Sequence, residues 1–253
     1  MSKSNSKASR ISERYITSFY DAINQTYLAI LEARPQYILV PFRGAEPILR
    51  GVQLLASLDR NSSKMPRVIP LMIGEIDREI SDHPYSFSEE EKRADIMKRL
   101  GRLKLPIGHP SFSIPARLLI IDEVQKGGSM SKNFGYVESA LKKLRVVAEL
   151  SGIAIAETGK KRHERFSALE RERRIRPIFV EKLFTVDKQH FLPDLQRVDS
   201  NRTKTRIPNS AERMELFENL QRIHMEKRHP DELVRSKSAR ETPKKSLRIN
   251  RPK

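Results

Sequence analysis

Residues 117–133 read RLLIIDEVQKGGSMSKN and combine three features in one short span. An apolar run leads into the adjacent acids Asp122 and Glu123, and glycines and small hydroxyl side chains follow. An apolar run bounded by turn residues predicts a buried strand, and the small residues after it predict a turn that opens a helix. We predict a strand over 118–121, a turn over 126–131 and a helix from about residue 132.

The same alternation of strand and helix continues on both sides of this stretch. Apolar residues at helical spacing predict helices over 12–33, 47–58, 89–103, 132–150, 164–174 and 209–227. Short apolar runs predict strands ending at residue 40 and over 67–74, 152–157 and 176–186. Strands that alternate with helices predict an α/β domain with a mostly parallel central sheet flanked by helices.

The pattern also predicts how the chain is divided. We expect a disordered basic N-terminus over 1–11, an α/β domain over 12–194 and a flexible lid over about 75–115 within it. A C-terminal helical segment over 195–228 follows, and a disordered basic tail over 229–253 completes the chain.

Charge is concentrated in a few segments of the 253 residues. Lysine and arginine number 49 against 32 aspartates and glutamates, a net charge of +17. The span 235–253 holds eight basic residues and one acid, and 158–176 holds eight basic residues and three acids. Such segments favour a polyanionic partner, so nucleic acid bound through the tail is one expectation and a solvated tail is the other.

Two absences suggest the compartment. The sequence has no cysteine, which excludes disulfides and thiolate metal sites and suits a reducing environment. No apolar run approaches the roughly 20 residues of a membrane-spanning helix. We therefore expect a cytoplasmic protein with no membrane association.

An apolar strand that ends in two acids occurs in several kinds of phosphate and cofactor site. A phosphate-loop nucleotide hydrolase needs Gly-x-x-x-x-Gly-Lys-Ser/Thr, and the sequence contains no such loop. The letters DEVQ also occur at a strand end of pyridoxal-phosphate aminotransferases, but those chains are much longer than this one. Neither class fits the whole pattern.

The stretch LLIIDEVQKGGSMS resembles the phosphoribosyl-pyrophosphate signature of type I phosphoribosyltransferases. A second stretch, ILVPFRGAEPI, is similar to the pyrophosphate-binding turn after the first core strand of that family. The resemblance implies a phosphoribosyltransferase-like fold and a Mg²⁺ ion that bridges the oxygens of the substrate. It implies roles for nine residues: Asp122 and Glu123 on the ribose hydroxyls as the catalytic pair; Lys126, Gly127, Gly128, Ser129 and Ser131 on the 5-phosphate; Arg43 and Gly44 on the pyrophosphate.

The resemblance therefore implies a glycosyltransferase that binds phosphoribosyl pyrophosphate or a nucleotide, with a homodimer as a further expectation. Lys126 stands where purine-type members often carry an acid, which disfavours purine salvage. Phe179, Phe184 and Phe191 are candidates for stacking on the acceptor base, although phenylalanines on strands more often belong to the core. Two other functions stay open: a nucleotide sensor that binds RNA or DNA through its basic segments, and an effector in a multi-component system such as a defence system.

Overall fold

A computed structural model describes residues 12–41, 45–71, 88–108, 114–181, 183, 194–199, 202–206 and 211–228. Five strands form an all-parallel sheet in the order β2-β1-β3-β4-β5. The strands are β1 (Tyr37–Pro41), β2 (Arg67–Leu71), β3 (Ala116–Val124), β4 (Ala148–Glu157) and β5 (Ile175–Val180). The predicted α/β class with a parallel sheet flanked by helices is confirmed.

Six α-helices and one short 3-10 helix (Ser62–Lys64) accompany the described strands. The α-helices are α1 (Glu13–Ala33), α2 (Glu46–Leu58), α3 (Glu89–Gly101), α4 (Gly128–Lys143), α5 (Glu164–Arg171) and α6 (Ala211–Arg228). Local signals set several of the helix starts, since Ser12 caps α1 and Ser88 forms a capping box with Glu91 at α3. The predicted helices agree with these bounds to within about three residues except at α4, which begins at Gly128 rather than near residue 132 and ends at Lys143 rather than at residue 150. Residues 148–150 of that predicted helix instead begin β4.

The sheet is covered on both faces, and β3 shows how the faces are assigned. Its residues Leu119 and Ile121 pack in the core beneath α1, α2 and α6, whereas Leu118, Ile120 and Val124 pack beneath α3, α4 and α5. This period of two is the ordinary alternation of a strand. Because both faces are buried, β3 is a nearly continuous apolar run, as central parallel strands are.

The described part of the predicted lid belongs to the body of the domain. Residues 88–108 contain α3, whose Ile96 and Leu100 are buried in the core next to α4 and β2. In this structure α3 therefore forms part of the helical layer on that face of the sheet. Residues 75–87 and 109–113 of the predicted lid, the basic N-terminus and the basic tail lie outside the described residues.

The predicted helical segment over 195–228 needs a correction. Only its second half is helical, as α6, whereas β6 (Asp194–Asp199) and β7 (Arg202–Arg206) form an antiparallel two-stranded sheet. The physical reason is composition, because Val198, Thr203 and Thr205 are β-branched residues that favour an extended chain. Asp199 pairs with Arg202, so only two residues connect the strands.

Helix α6 is fixed to α1 and α2 by a buried polar network. His224 is fully buried, and its Nε2 lies 2.8 Å from Oδ1 of Asp59 while its Nδ1 lies 3.2 Å from the hydroxyl of Tyr20. Nearby, Asn61 donates from Nδ2 to the hydroxyl of Tyr27 at 3.0 Å. Burial raises the pKa of Tyr20 and of Tyr27. These contacts make α6 an integral part of the domain.

Within the described ranges, no helix combines the length and the apolar content that a bilayer crossing requires.

Candidate functional site

The strand order defines a switch point between β1 and β3 at the carboxyl edge of the sheet, where doubly wound sheets have a crevice. From β1 the chain turns towards β2, and from β3 it turns the opposite way towards β4. Helix α2 follows β1 on one face of the sheet, and α4 follows β3 on the other. In doubly wound sheets, including those with strand order 2-1-3-4-5, ligands bind where the two directions diverge. The stretch 122–131 lies at that point.

A tight loop of three residues, 125–127, joins β3 to α4. Gly127 caps the helix with φ +83°, and a Cβ atom there would lie 2.4 Å from Cγ of Phe166. The hydroxyl and the backbone N–H of Ser131 both donate to the carbonyl oxygen of Gly127, at 2.8 and 3.1 Å. Gly127 and the buried Ser131 therefore shape the loop, and the phosphate contact that the resemblance implies for both stays a prediction.

Gly128 and Ser129 are placed differently. A Cβ atom on Gly128 would meet no atom within 4 Å, and both residues are partly exposed in the first turn of α4. The first backbone hydrogen bond of the helix runs from Ser131, so the N–H groups of residues 128–130 precede the helical ladder. These groups and the positive end of the helix dipole favour an anion.

The acids Asp122 and Glu123 lie inside β3 and not after it. They pair in register with Ala154 and Ile155 of β4, and only 5% and 8% of their surface is exposed. By the alternation of the strand, Asp122 lies on the α4 side of the sheet and Glu123 on the α2 side. Oδ1 of Asp122 accepts the backbone N–H of Glu123 at 2.9 Å. The two carboxylates therefore border the crevice from opposite faces.

The loop after β4 lies against the loop after β3. The N–H of His163 donates to the carbonyl oxygen of Lys126 at 2.7 Å, and the side chain of Lys126 is exposed. The guanidinium of Arg162 lies 5.3 Å from the ring centroid of Phe166 and 4.5 Å from that of Phe179. This stack links Gly127 to the edge strand β5.

Phe179 is at the surface. Its exposed fraction is 53%, and it pairs with Ala156, which in turn pairs with Val124 at the end of β3. The ring therefore lies two strands away from the crevice, about 10 Å at the usual strand spacing. The other two candidates for base stacking, Phe184 and Phe191, lie outside the described residues, as do the pyrophosphate candidates Arg43 and Gly44.

The described residues that follow the predicted pyrophosphate-binding turn include a charged one. Glu46 is in the first turn of α2, and both of its carboxylate oxygens lie 2.7 Å from Nη2 of Arg213 in α6. Arg213 is 4% exposed and its guanidinium also lies over the ring of Phe217. The ion pair therefore ties the N-terminal turn of α2 to α6.

Asn133 is a residue of this region that the sequence pattern did not indicate. It is 4% exposed, and its Nδ2 has no hydrogen-bond partner within the described part of the chain. A buried amide without a partner is costly, so such groups often donate to a ligand or a water. The available signal was a polar residue within the apolar stripe of α4, between Met130 and Phe134.

No group of three or more histidine, aspartate or glutamate side chains in the described ranges is arranged to hold a metal ion. Magnesium often binds through one or two carboxylates, waters and the phosphates of a substrate. The residues of the crevice therefore fit only an ion held largely by the oxygens of the ligand.

Comparison with protein-family models, with curated proteins and with solved structures finds no match to this chain. The functional assignment therefore depends on the geometry of the site.

Proposed function

We propose that the crevice above β1 and β3 binds the ribose 5-phosphate moiety of phosphoribosyl pyrophosphate or of a nucleotide. The proposed reaction transfers a phosphoribosyl group to or from a nucleobase-like acceptor. The observation that carries the proposal is the juxtaposition of the acid pair at the end of β3 with the open first turn of α4. A ribose 5-phosphate has hydroxyls at one end and a dianion at the other, which matches the two ends of this site.

Each end of the ligand has a physical partner. The N–H groups of Gly128 and Ser129 and the exposed Lys126 provide donors and positive charge for the 5-phosphate. Asp122 and Glu123 provide acceptors for the ribose hydroxyls. Because a ligand of this fold lies above the strand ends and not against either face, carboxylates from both faces of β3 can contact it.

The edge strand supplies a surface for the base. Phe179 is exposed, and Arg162 fixes its ring from one side. Aromatic rings stack on nucleobases and confer little sequence preference, so the ring suits a flat heterocyclic acceptor. Lys160, 3.5 Å from Glu157 at the end of β4, adds a cation in the loop after that strand.

Displacement at the anomeric carbon of a ribose passes through a cation-like state, so the protein needs no nucleophile of its own. Its residues instead hold the ribose, orient the acceptor and neutralise the leaving diphosphate. Magnesium, when bound to the oxygens of the ligand, would supply part of that neutralisation. Arg43 and Gly44 are proposed to complete the diphosphate site.

The test combines binding with turnover. Calorimetric titration with phosphoribosyl pyrophosphate in the presence of Mg²⁺ should show saturable binding, and addition of a mixture of bases should release diphosphate. Gly128→Val fills the open space above α4 and should abolish binding, and Asp122→Asn with Glu123→Gln should do the same. Arg93→Gln, an exposed change on α3, serves as the control with unchanged binding.

The outcomes separate the remaining functions. Binding without diphosphate release would support the nucleotide sensor in place of the transferase. Absence of binding to phosphoribosyl pyrophosphate, ribose 5-phosphate and nucleoside monophosphates, with the fold intact by circular dichroism, would contradict the proposal. Release of diphosphate only after a partner protein is removed would support the effector.

A further inference from the structure

The edge of the sheet opposite the crevice has an unusual backbone feature. Within the described ranges, four residues other than glycine have a positive φ, and all four are arginines: Arg34, Arg60, Arg145 and Arg173, with φ between 44° and 56°. Glycine, or sometimes asparagine, usually occupies such positions because a Cβ atom makes the left-handed conformation costly. The chain therefore has arginine at four positions where glycine would be less strained.

The four arginines occupy equivalent places in the fold. Arg34 ends α1, and Arg60, Arg145 and Arg173 each lie two residues after the last residue of α2, α4 and α5. In a parallel sheet flanked by helices, the C-terminal ends of these helices lie at the amino edge of the strands. Arg60, Arg34, Arg145 and Arg173 therefore precede β2, β1, β4 and β5, in the order of the sheet.

The central strand completes the row. Arg117, the exposed second residue of β3, lies at the same edge, and its carbonyl oxygen accepts the N–H of Gln36. One arginine thus lies near the start of each of the five strands, across a width of about 20 Å at normal strand spacing. Hydrogen bonds from Gly108 to Arg145 and from Val147 to Pro106 tie the connecting loops together at this edge.

Further exposed cations surround the row: Lys64, Arg67, Arg102, Lys104, Lys142, Lys143 and Arg171. The acids nearby are fewer. Glu32 pairs with Arg176, and Asp59 contacts His224 and Arg228. Glu149 is opposite Arg117 in the register of β3 and β4, and Glu172 is exposed beside Arg173. In the part of the chain that the structure describes, none of the four left-handed arginines forms an ion pair.

An open cleft of about 770 Å³ interrupts this edge between the starts of β1 and β2. Two cations, Arg67 and Lys104, line it together with Tyr37, Gln36 and the exposed Ile114. A ring and aliphatic side chains between cations suit a polymer in which charged groups alternate with flat or apolar ones.

Helix dipoles explain only part of this arrangement. A cation near a helix C-terminus is favourable, but a lysine or arginine in the last turn supplies that charge without a left-handed backbone. Helices α4 and α5 already carry such residues, Lys142 and Arg171, whereas the last turns of α1 and α2 hold no basic residue, so the dipole accounts for Arg34 and Arg60 better than for Arg145 and Arg173. The dipole does not explain why α4 and α5 are followed by a further arginine, nor why all four positions combine arginine with a left-handed backbone.

We propose that the amino edge of the sheet is a nucleic-acid-binding surface that contacts successive phosphates of one strand. The width of the row matches a polymer and not a single phosphate, and the cleft suits a base or a sugar between phosphate contacts. Arg228, the last described residue before the basic sequence of 229–253, lies 3.8 Å from Asp59 at the end of α2. This surface is separate from the crevice, and the proposal does not depend on phosphoribosyl binding.

The test uses the full chain and a labelled single-stranded RNA of about 20 nucleotides, with duplex DNA as a second probe. The variant Arg34→Gly, Arg60→Gly, Arg145→Gly, Arg173→Gly removes four charges and relieves the left-handed backbone. At about 100 mM salt its RNA affinity should fall at least tenfold, and the slope of log affinity against log salt should decrease by about 3. Its thermal midpoint should stay at or above that of the wild type.

Two further variants keep the result interpretable. Arg67→Gln with Lys104→Gln and Arg117→Gln leaves the left-handed positions unchanged and should also weaken RNA binding. The matched control Arg14→Gln, Arg93→Gln, Lys161→Gln, Arg165→Gln removes four exposed charges from the other half of the domain and should leave the salt slope unchanged. An equal loss in the control, or no loss in the glycine variant, would overturn the proposal. Binding of the wild type to vesicles of phosphatidylglycerol but not to RNA or DNA would overturn it in favour of a membrane surface.

Discussion

The ring of Phe166 fills the space into which any side chain at Gly127 would project. This contact makes Gly127 a structural residue, whereas Gly128, the first residue of α4, is accessible. The same contact also places α5, which carries Phe166, directly against the loop that opens α4.

The first prediction concerns this pair of glycines. Gly127→Ala combines a clash at 2.4 Å with a positive φ, so it should lower the free energy of unfolding by about 1–3 kcal/mol. Gly128→Ala meets no neighbour and should stay within about 1 kcal/mol of the wild type. Urea unfolding of both variants checks the difference. Equal destabilisation would show that the loop adopts another conformation.

The second prediction concerns His224. Its replacement by alanine leaves Asp59 and the hydroxyl of Tyr20 without this buried partner, so we expect a loss of about 2–4 kcal/mol in the free energy of unfolding. Met214→Ala, at a half-exposed position of the same helix, is the control and should cost less than about 1 kcal/mol. A small effect at His224 would mean that α6 is not fixed through this network.

The third prediction concerns alkaline pH. Burial raises the pKa of Tyr27 above its ordinary value of about 10, against the opposing hydrogen bond from Asn61. A raised pKa means that the folded state retains the phenol proton more strongly. The resulting stability is therefore fully present below about pH 10 and is lost as pH rises through the folded-state pKa. Tyr27→Phe should make the free energy of unfolding less dependent on pH above about 10, as measured by urea titrations across that range.

The fourth prediction concerns Asn133. Replacement by leucine removes a buried donor that has no partner among the described residues, so the thermal midpoint should stay equal or rise. If the amide donates to the ligand, the affinity for phosphoribosyl pyrophosphate should fall at least about tenfold, because one hydrogen bond to a charged group contributes about 1.5–3 kcal/mol. Asn24→Leu, at a buried acceptor of α1, is the matched control for which only stability is expected to change. A lower midpoint for Asn133→Leu with unchanged affinity would assign the amide a structural role.

The sequence pattern predicted the elements well because their signals are local. Apolar periodicity, the serine caps at Ser12 and Ser88 and the apolar run of β3 each depend on neighbouring residues. The helix start at Gly128 was missed because its determinant is a tertiary contact, the packing of Phe166 against Gly127. The hairpin of β6 and β7 was missed because polar strands have no apolar alternation to reveal them.

The site was predicted in outline and not in detail. The acids and the glycine loop could be placed at a strand end, since the strand-to-helix order determines that position. The sequence did not predict that Asp122 and Glu123 lie on opposite faces of the sheet. Their placement depends on the continuation of β3 to Val124, three residues beyond the predicted end of the strand. The exposure of Phe179 depends on its position in an edge strand, and strand order is not visible in a single sequence.

The docking of α6 has a consequence for how the chain is made. The ring of Phe217 lies 6.2 Å from that of Phe19, and Tyr20 contacts His224 across 204 positions of sequence. The apolar side of α1 and α2 therefore lacks its cover until almost the whole domain has left the ribosome. Protein synthesis that stops before α6 yields a chain with an uncovered hydrophobic surface, a substrate for chaperones and proteases.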